Sequence, residues 1–213
     1  MEKIAIIGNG LIVDYDIIKN LISKYPKIIV ADGGLLHCRK MNLSPILIVG
    51  DFDSATQSDV EFYIDVPKKT YPVDKDLTDL ELAIHEAFER GAKKIALFGA
   101  LGKRIDHGLK NLNLVYQFTK ELVIESEYET IFAVSGEEKI DCFPGQTLSL
   151  IPFGNPAIGV TTSGLKWELQ NAVLNNNFLS ISNVSLGNSF TISINSGTIL
   201  CCLVRNPEDI LDL

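Results

Sequence analysis

What most constrains this chain is a change of texture near residue 126. Before it, short runs of Ile, Val, Leu and Ala, at Ile4–Ile7, Ile28–Ala31, Ile46–Val49, Ile95–Phe98 and Leu122–Ile124, are apolar throughout and do not alternate. A strand apolar on both sides must be covered on both faces. Helical patterns separate the runs, so this half is expected to be an α/β layer with a mainly parallel sheet. Beyond residue 126 the helical period stops. Gln146–Ile151, Gly159–Thr162, Phe178–Ile181 and Ser189–Ile194 alternate and are punctuated by Gly, Asn, Pro and Ser, the pattern of an all-β sandwich. The expected division is residues 1–125, α/β, and residues 126–213, a β-sandwich whose limited core calls for packing on the first domain or on a second copy.

The clearest helix begins at Thr78. Thr78 and Glu81 form a capping box, Leu80, Ala83, Ile84, Ala87 and Phe88 share one face, and Gly91 stands where the chain should leave the helix. A second helix is expected from about Asp106, with Leu109, Leu112, Val115 and Tyr116 in the same period.

In an open α/β sheet, ligands bind beyond the carboxyl ends of the strands, so the residues following each run decide the chemistry. They are Asp32-Gly33-Gly34, then Gly50-Asp51-Phe52-Asp53-Ser54, then Asp74-Lys75-Asp76-Leu77-Thr78-Asp79 ahead of the capped helix, then Gly99-Ala100-Leu101-Gly102-Lys103-Arg104-Ile105-Asp106-His107. Carboxylates crowded at one edge repel, and all-oxygen ligation suits Mg²⁺ bound together with phosphate oxygens. A phosphate-bearing substrate follows. Gly33 and Gly99 let the backbone approach a polyphosphate, while Lys75, Lys103 and Arg104 are the cations that balance its charge. Each residue also has a plainer reading. Asp32 is by itself a turn, Asp79 suits a helix N-terminus whatever its function, and Arg104 and Asp106 are placed to pair. Gly8-Asn9-Gly10 lacks the third glycine of a dinucleotide fingerprint, and Gly99–Lys103 lacks P-loop spacing. His37 and His85 read as packing or surface residues, and His107 as part of a helix start.

The excess of 27 Asp+Glu over 19 Lys+Arg gives a formal charge of −8 and argues against nucleic acid as a partner. No apolar stretch approaches the roughly 20 residues that span a bilayer, so no membrane is expected. The first residues carry no cleavable signal pattern. Cys38, Cys142, Cys201 and Cys202 show neither a CxxC pair nor metal spacing, as expected of reduced thiols in the cytoplasm.

The four acidic blocks above, followed by Thr162-Ser163-Gly164-Leu165-Lys166-Trp167 and Ser180-Ile181-Ser182-Asn183, resemble the thiamine pyrophosphokinase family in order and spacing over nearly the whole chain. The resemblance implies an enzyme that transfers the diphosphate of ATP to the hydroxyethyl group of thiamine, with Mg²⁺. It also implies an N-terminal catalytic domain, a C-terminal thiamine-binding sandwich and a homodimer. Asp51, Asp53 and Asp79 match the family's metal and phosphate site, with Asp32 and Asp76 adjoining it. Arg104 matches the arginine facing the phosphates, and Ser180, Ser182 and Asn183 fall on the stretch that contacts thiamine. Lys103 departs from the small residue that often precedes the arginine. Thiamine is an aromatic cation, for which the only tryptophan, Trp167, is the candidate face; its alternative is a core anchor. The rival functions are a Mg²⁺-dependent transferase or hydrolase acting on another alcohol or nucleotide, and a non-catalytic sensor of thiamine or its diphosphate.

Overall fold

The computed structural model describes residues 2–53, 55–72, 74 and 76–205. It forms two compact units, Met1–Asn111 with Ile124–Glu127, and Leu112–Val123 with Tyr128–Leu213. The elements of the first half are β1 (Lys3–Ile7), α1 (Tyr15–Ile22), β2 (Lys27–Ala31), α2 (Leu35–Lys40), β3 (Leu47–Gly50), α3 (Gln57–Phe62), β4 (Lys68–Thr70), α4 (Asp79–Glu89), β5 (Lys94–Phe98), α5 (Ile105–Gln117) and β6 (Leu122–Glu125). The second half comprises β7 (Glu129–Val134), β8 (Glu137–Asp141), β9 (Thr147–Pro152), β10 (Ala157–Ser163), β11 (Ala172–Leu174), β12 (Ser180–Val184), β13 (Ser189–Ser193) and β14 (Ile199–Val204).

In the first unit the strands run β5-β1-β2-β3-β4, all parallel, with Ile4 opposite Ile95, Ile6 opposite Ile29, and Val30 opposite Ile48. The continuous apolar runs account for this. Ile4, Ile6, Ile29, Val30, Ile48, Val49, Ile95 and Leu97 are fully buried, each side chain contributing roughly 1.5–3 kcal/mol. The chain leaves β1 in one direction through β2, β3 and β4, then returns to place β5 on the other side of β1. The strand order therefore reverses between β1 and β5, and a crevice opens at their carboxyl ends.

Helix α4 packs on β1, β2 and β3. Thr78 Oγ1 caps it by accepting from Glu81 N at 3.2 Å. Its end is a Schellman turn in which Gly91, at φ +83°, donates to Phe88 O (2.8 Å) and Ala92 donates to Ala87 O (3.0 Å). Leu80, Ala83, Ile84 and Ala87 are buried, while Phe88 is only half-buried.

The second unit is a sandwich of two antiparallel sheets. One includes β12-β9-β14-β7 and the other is β11-β10-β13-β8. Alternation along β9 and β13 turns Leu148, Leu150, Phe190 and Ile192 inward, where they join Val160, Leu165, Leu174 and Ile199 in one core.

Candidate active site

Asp32 leaves the end of β2, Asp51 follows the last residue of β3, and Asp79 is the first residue of α4. Since β2 and β3 are parallel neighbours and α4 packs on both, three residues far apart in sequence reach one edge. One carboxylate oxygen from each lies within 4.8 Å of the other two, and Asp32 is only 5% exposed. Two backbone features make the approach possible. Asp32 adopts φ +39°, a sparsely populated conformation for a non-glycine residue. Gly50, at φ +152°, has no side chain to collide with it; a Cβ there would stand 2.9 Å from Asp32 Cβ.

Asp53 lies outside this group. Its backbone N–H donates to Asp51 Oδ1 at 3.3 Å, the intervening Phe52 is at φ +65°, and the Asp53 side chain is exposed. Asp74 and Asp76 are exposed as well. Ser54 and Lys75 lie outside the described residues.

Beside the three carboxylates a cavity of about 300 Å³ is lined by Gly8, Asn9 and Gly10 after β1, by Asp32 and Asp79, and by Gly99, Lys103, Arg104, His107 and Asn111. It sits at the reversal of strand order. The two glycine-containing loops are laced together: Gly8 N donates to Phe98 O (2.8 Å), Gly10 N to Gly99 O (2.6 Å) and Leu11 N to Leu101 O (2.8 Å). Gly33, expected to open the backbone to phosphate, also makes room for a side chain. A Cβ there would meet Asn9 Nδ2 at 2.3 Å. Asn9 Oδ1 in turn accepts from Lys103 Nζ at 2.9 Å.

Arg104 and Asp106 do pair. Arg104 Nε donates to Asp106 Oδ1 at 3.1 Å and Nη2 reaches Oδ2, which holds the Asp106 carboxyl at about 2. Both side chains are exposed, so the pair is worth little and the guanidinium can exchange the Asp106 carboxylate for another anion at small cost. The cleft has contributors that sequence reading left out. Asn9 was visible only as part of an incomplete glycine motif. Buried Asn111 Nδ2 donates to Ala100 O at 2.6 Å and so fixes the loop after β5. His107 lines the cavity although it belongs to the first turn of α5.

In the sandwich, Trp167 is 55% exposed and Lys166 Nζ stands 4.6 Å from its ring centre, so it is not a core anchor. Asn183 is 1% exposed and both ends of its amide are engaged. Oδ1 accepts from Trp167 N (3.1 Å) and Val184 N (2.8 Å), and Nδ2 donates to Trp167 O (2.7 Å). An irregularity in the β9–β12 pairing, with Ser182 at φ +55°, turns Asn183 inward between half-buried Ser180 and exposed Ser182 on one side and Val184 on the other.

An acidic group beside a glycine-lined crevice at a reversal of strand order is the layout of an α/β enzyme acting on phosphorylated substrates. Comparison with known proteins gives the family. The sequence matches "Thiamin pyrophosphokinase, catalytic domain" over residues 18–125 and "Thiamin pyrophosphokinase, vitamin B1 binding domain" over residues 130–199. It is 30% identical to thiamine pyrophosphokinase 1 of Oryza sativa subsp. japonica over 182 residues, 78% of this chain and 69% of that protein. It is 29% identical to thiamine pyrophosphokinase of Bacillus subtilis over 185 residues, 83% of this chain and 86% of that protein. The crystal structure of the Bacillus subtilis protein superposes with a TM-score of 0.85 at 24% identity, covering 96% of this chain and all of that one (100%). The yeast thiamin pyrophosphokinase structure gives 0.82 at 17% identity, covering 100% of this chain and 89% of the yeast chain. The chain belongs to the thiamine pyrophosphokinase family, transferases that move the diphosphate of ATP to thiamine and yield thiamine diphosphate and AMP. Among the described residues no helix is long and apolar enough to cross a membrane.

Proposed function

We propose that the crevice beyond β1 and β5 is where this chain binds ATP, and that residues 1–125 carry the chemistry while residues 126–213 bind thiamine. The observation that carries the reading is the meeting of Asp32, Asp51 and Asp79 within 4.8 Å beside a glycine-lined cavity. Three carboxylates, one of them buried, form an all-oxygen donor set that fits a hard divalent cation. These three would hold Mg²⁺, whose charge neutralises the polyphosphate oxygens, with Asp53 from the same turn and Asp76, both exposed, adjoining the site.

The thiamine hydroxyl oxygen attacks the β-phosphorus of ATP, the bond from that phosphorus to the oxygen bridging to the α-phosphate breaks, and AMP leaves. The hydroxyl proton passes to a carboxylate, Asp79 or Asp53. The transition state of such transfers is loose, so holding the reactants in line and neutralising charge matter more than a strong base. Arg104 and Lys103, with Lys75, supply positive charge from the protein, and the backbone at Gly33 and Gly99 shapes the cradle. In the sandwich, the exposed Trp167 ring offers a face to the thiamine cation, with Ser180 and Ser182 lending hydroxyls. Asn183 serves thiamine through Trp167, whose backbone it brackets.

The same reading includes a homodimer and a cytoplasmic location. Exposed Ile158, Phe178, Ile181 and Leu186 give the sandwich an apolar surface suited to a second copy. All four cysteines are free thiols, and burial pushes that of Cys38 up to about 11, far from reactivity. Purified protein incubated with ATP, Mg²⁺ and thiamine should form AMP and thiamine diphosphate in equal amounts. Asp53→Asn should remove turnover while leaving the fold intact. ADP as product would indicate simple phosphorylation, and tight thiamine binding without turnover would indicate a sensor.

A further inference from the structure

We propose that His37, which lies behind the crevice and touches none of the reacting groups, is a positioning residue for nucleotide binding. The inference rests on the reading of the crevice as the ATP site. His37 is 4% exposed on α2, and neither of its ring nitrogens is idle. Nε2 lies 2.9 Å from Gly10 O and Nδ1 lies 2.8 Å from Tyr15 Oη. A carbonyl only accepts, so Nε2 carries the hydrogen. In the neutral ring Nδ1 is then the acceptor, and the Tyr15 hydroxyl donates to it. The arrangement works in one tautomer of the neutral ring. Burial favours that neutral form, as do the charges of Lys103 and Lys40, against the opposing influence of Gly10 O and Glu127.

What this bond holds is the loop that forms one wall of the crevice. Gly10 has both backbone groups committed, its N–H to Gly99 O at 2.6 Å and its carbonyl to His37. Further along, Glu127 Oε1 accepts from Val13 N (2.6 Å) and Asp14 N (3.1 Å), and Asp14 caps α1. Asn9 therefore rides on a backbone clamped from outside the cavity. Its amide fits over Gly33, and its Oδ1 receives the Lys103 ammonium. The placement of a cation at the phosphate end thus runs from His37 through Gly10 and Asn9 to Lys103. A loop held in its binding geometry before the ligand arrives loses less freedom on binding, so releasing it should weaken ATP and leave thiamine untouched.

Three variants test this: His37→Leu removes both bonds, His37→Gln keeps a donor for Gly10 O, and Tyr15→Phe removes only the bond to Nδ1 that orients the ring. ATP binding is measured by calorimetry without thiamine, alongside kcat, the KM of each substrate and thermal melting. His37→Leu should weaken ATP about five- to tenfold, the scale of one lost hydrogen bond, with kcat and the thiamine KM within about twofold of wild type. His37→Gln should recover most of the loss, and Tyr15→Phe should cost about two- to threefold. If His37→Leu does not fold, the other two variants decide the matter. ATP affinity at wild-type level in folded His37→Leu or in Tyr15→Phe, or parallel changes in kcat and both KM values, would overturn the proposal. A wild-type chain that binds ATP yet makes no thiamine diphosphate would refute the proposed activity alone, because calorimetry still compares the variants; one that does not bind ATP would overturn both.

Discussion

If Asp32, Asp51 and Asp79 are gathered to hold a cation, then without one they destabilise the fold, and removing a charge should stabilise it. Asp51→Asn is the cleanest perturbation because the amide keeps the Oδ1 that accepts from Asp53 N at 3.3 Å. With the ligand oxygens within 4.8 Å, each like-charged pair repels by about 1 kcal/mol in a water-like dielectric and about 3.5 kcal/mol at an effective dielectric near 20. Asp51 faces two such partners and is half-buried, so the lower end governs and the relief is about 2 kcal/mol. At roughly 2–4 °C per kcal/mol for a chain of this size, Asp51→Asn should melt about 4–8 °C above wild type in chelator. Saturating Mg²⁺ should raise wild type, by about 2.7 kcal/mol at a hundred times its dissociation constant, and raise the variant much less. The order of stability should therefore reverse between chelator and Mg²⁺ in paired calorimetric scans. An Asp51→Asn chain no more stable than wild type in chelator, with the same gain from Mg²⁺, would refute the reasoning.

Trp167→Ala should raise the KM for thiamine well above any change for ATP and hardly move the melting temperature, since the ring is 55% exposed; a collapse in melting temperature would restore the core reading. The pH dependence of stability follows from His37, whose buried ring holds its pKa below the ordinary 6.5. The unfolded chain takes up a proton there before the folded one does, so stability should decline as pH falls below about 6.5 and level off under the folded pKa, and His37→Gln should flatten that part of a melting-temperature profile.

The parallel half of the fold was legible because its strands are buried on both faces and must be apolar along their length. Strand β4 escaped notice for the opposite reason. Lys68-Lys69-Thr70 pairs with β3 alone at the sheet edge and is half-buried or exposed, so burial imposes no pattern on it. What fixes it is tertiary: buried Glu86 of α4 binds Lys69 and accepts from Tyr71 Oη at 3.0 Å, contacts that no local window contains. The α4 boundaries were readable because a capping threonine and a terminal glycine act within a single turn. From sequence His37 read as a packing or surface residue; its two partners belong to other segments, so its link to the crevice was not legible.

The acidic site shows the same division between local and distant causes. In Gly50-Asp51-Phe52-Asp53, a two-residue spacing on extended backbone would put both aspartates on one side. At φ +65°, Phe52 breaks that alternation, leaving Asp51 with Asp32 and Asp79 and turning Asp53 outward. Asp32 presents the converse case. Alone, Asp-Gly after a strand reads as a turn. It becomes part of the site because β3 lies beside β2 and ends in a glycine small enough to let the two carboxylates approach. Asp32 is held at φ +39° and buried beside like charges, a strained placement of the kind that collects at ligand-binding sites. Gly50→Ala would bring in a methyl group 2.9 Å from Asp32 Cβ, and would therefore disturb the carboxylate group without altering any of its charges.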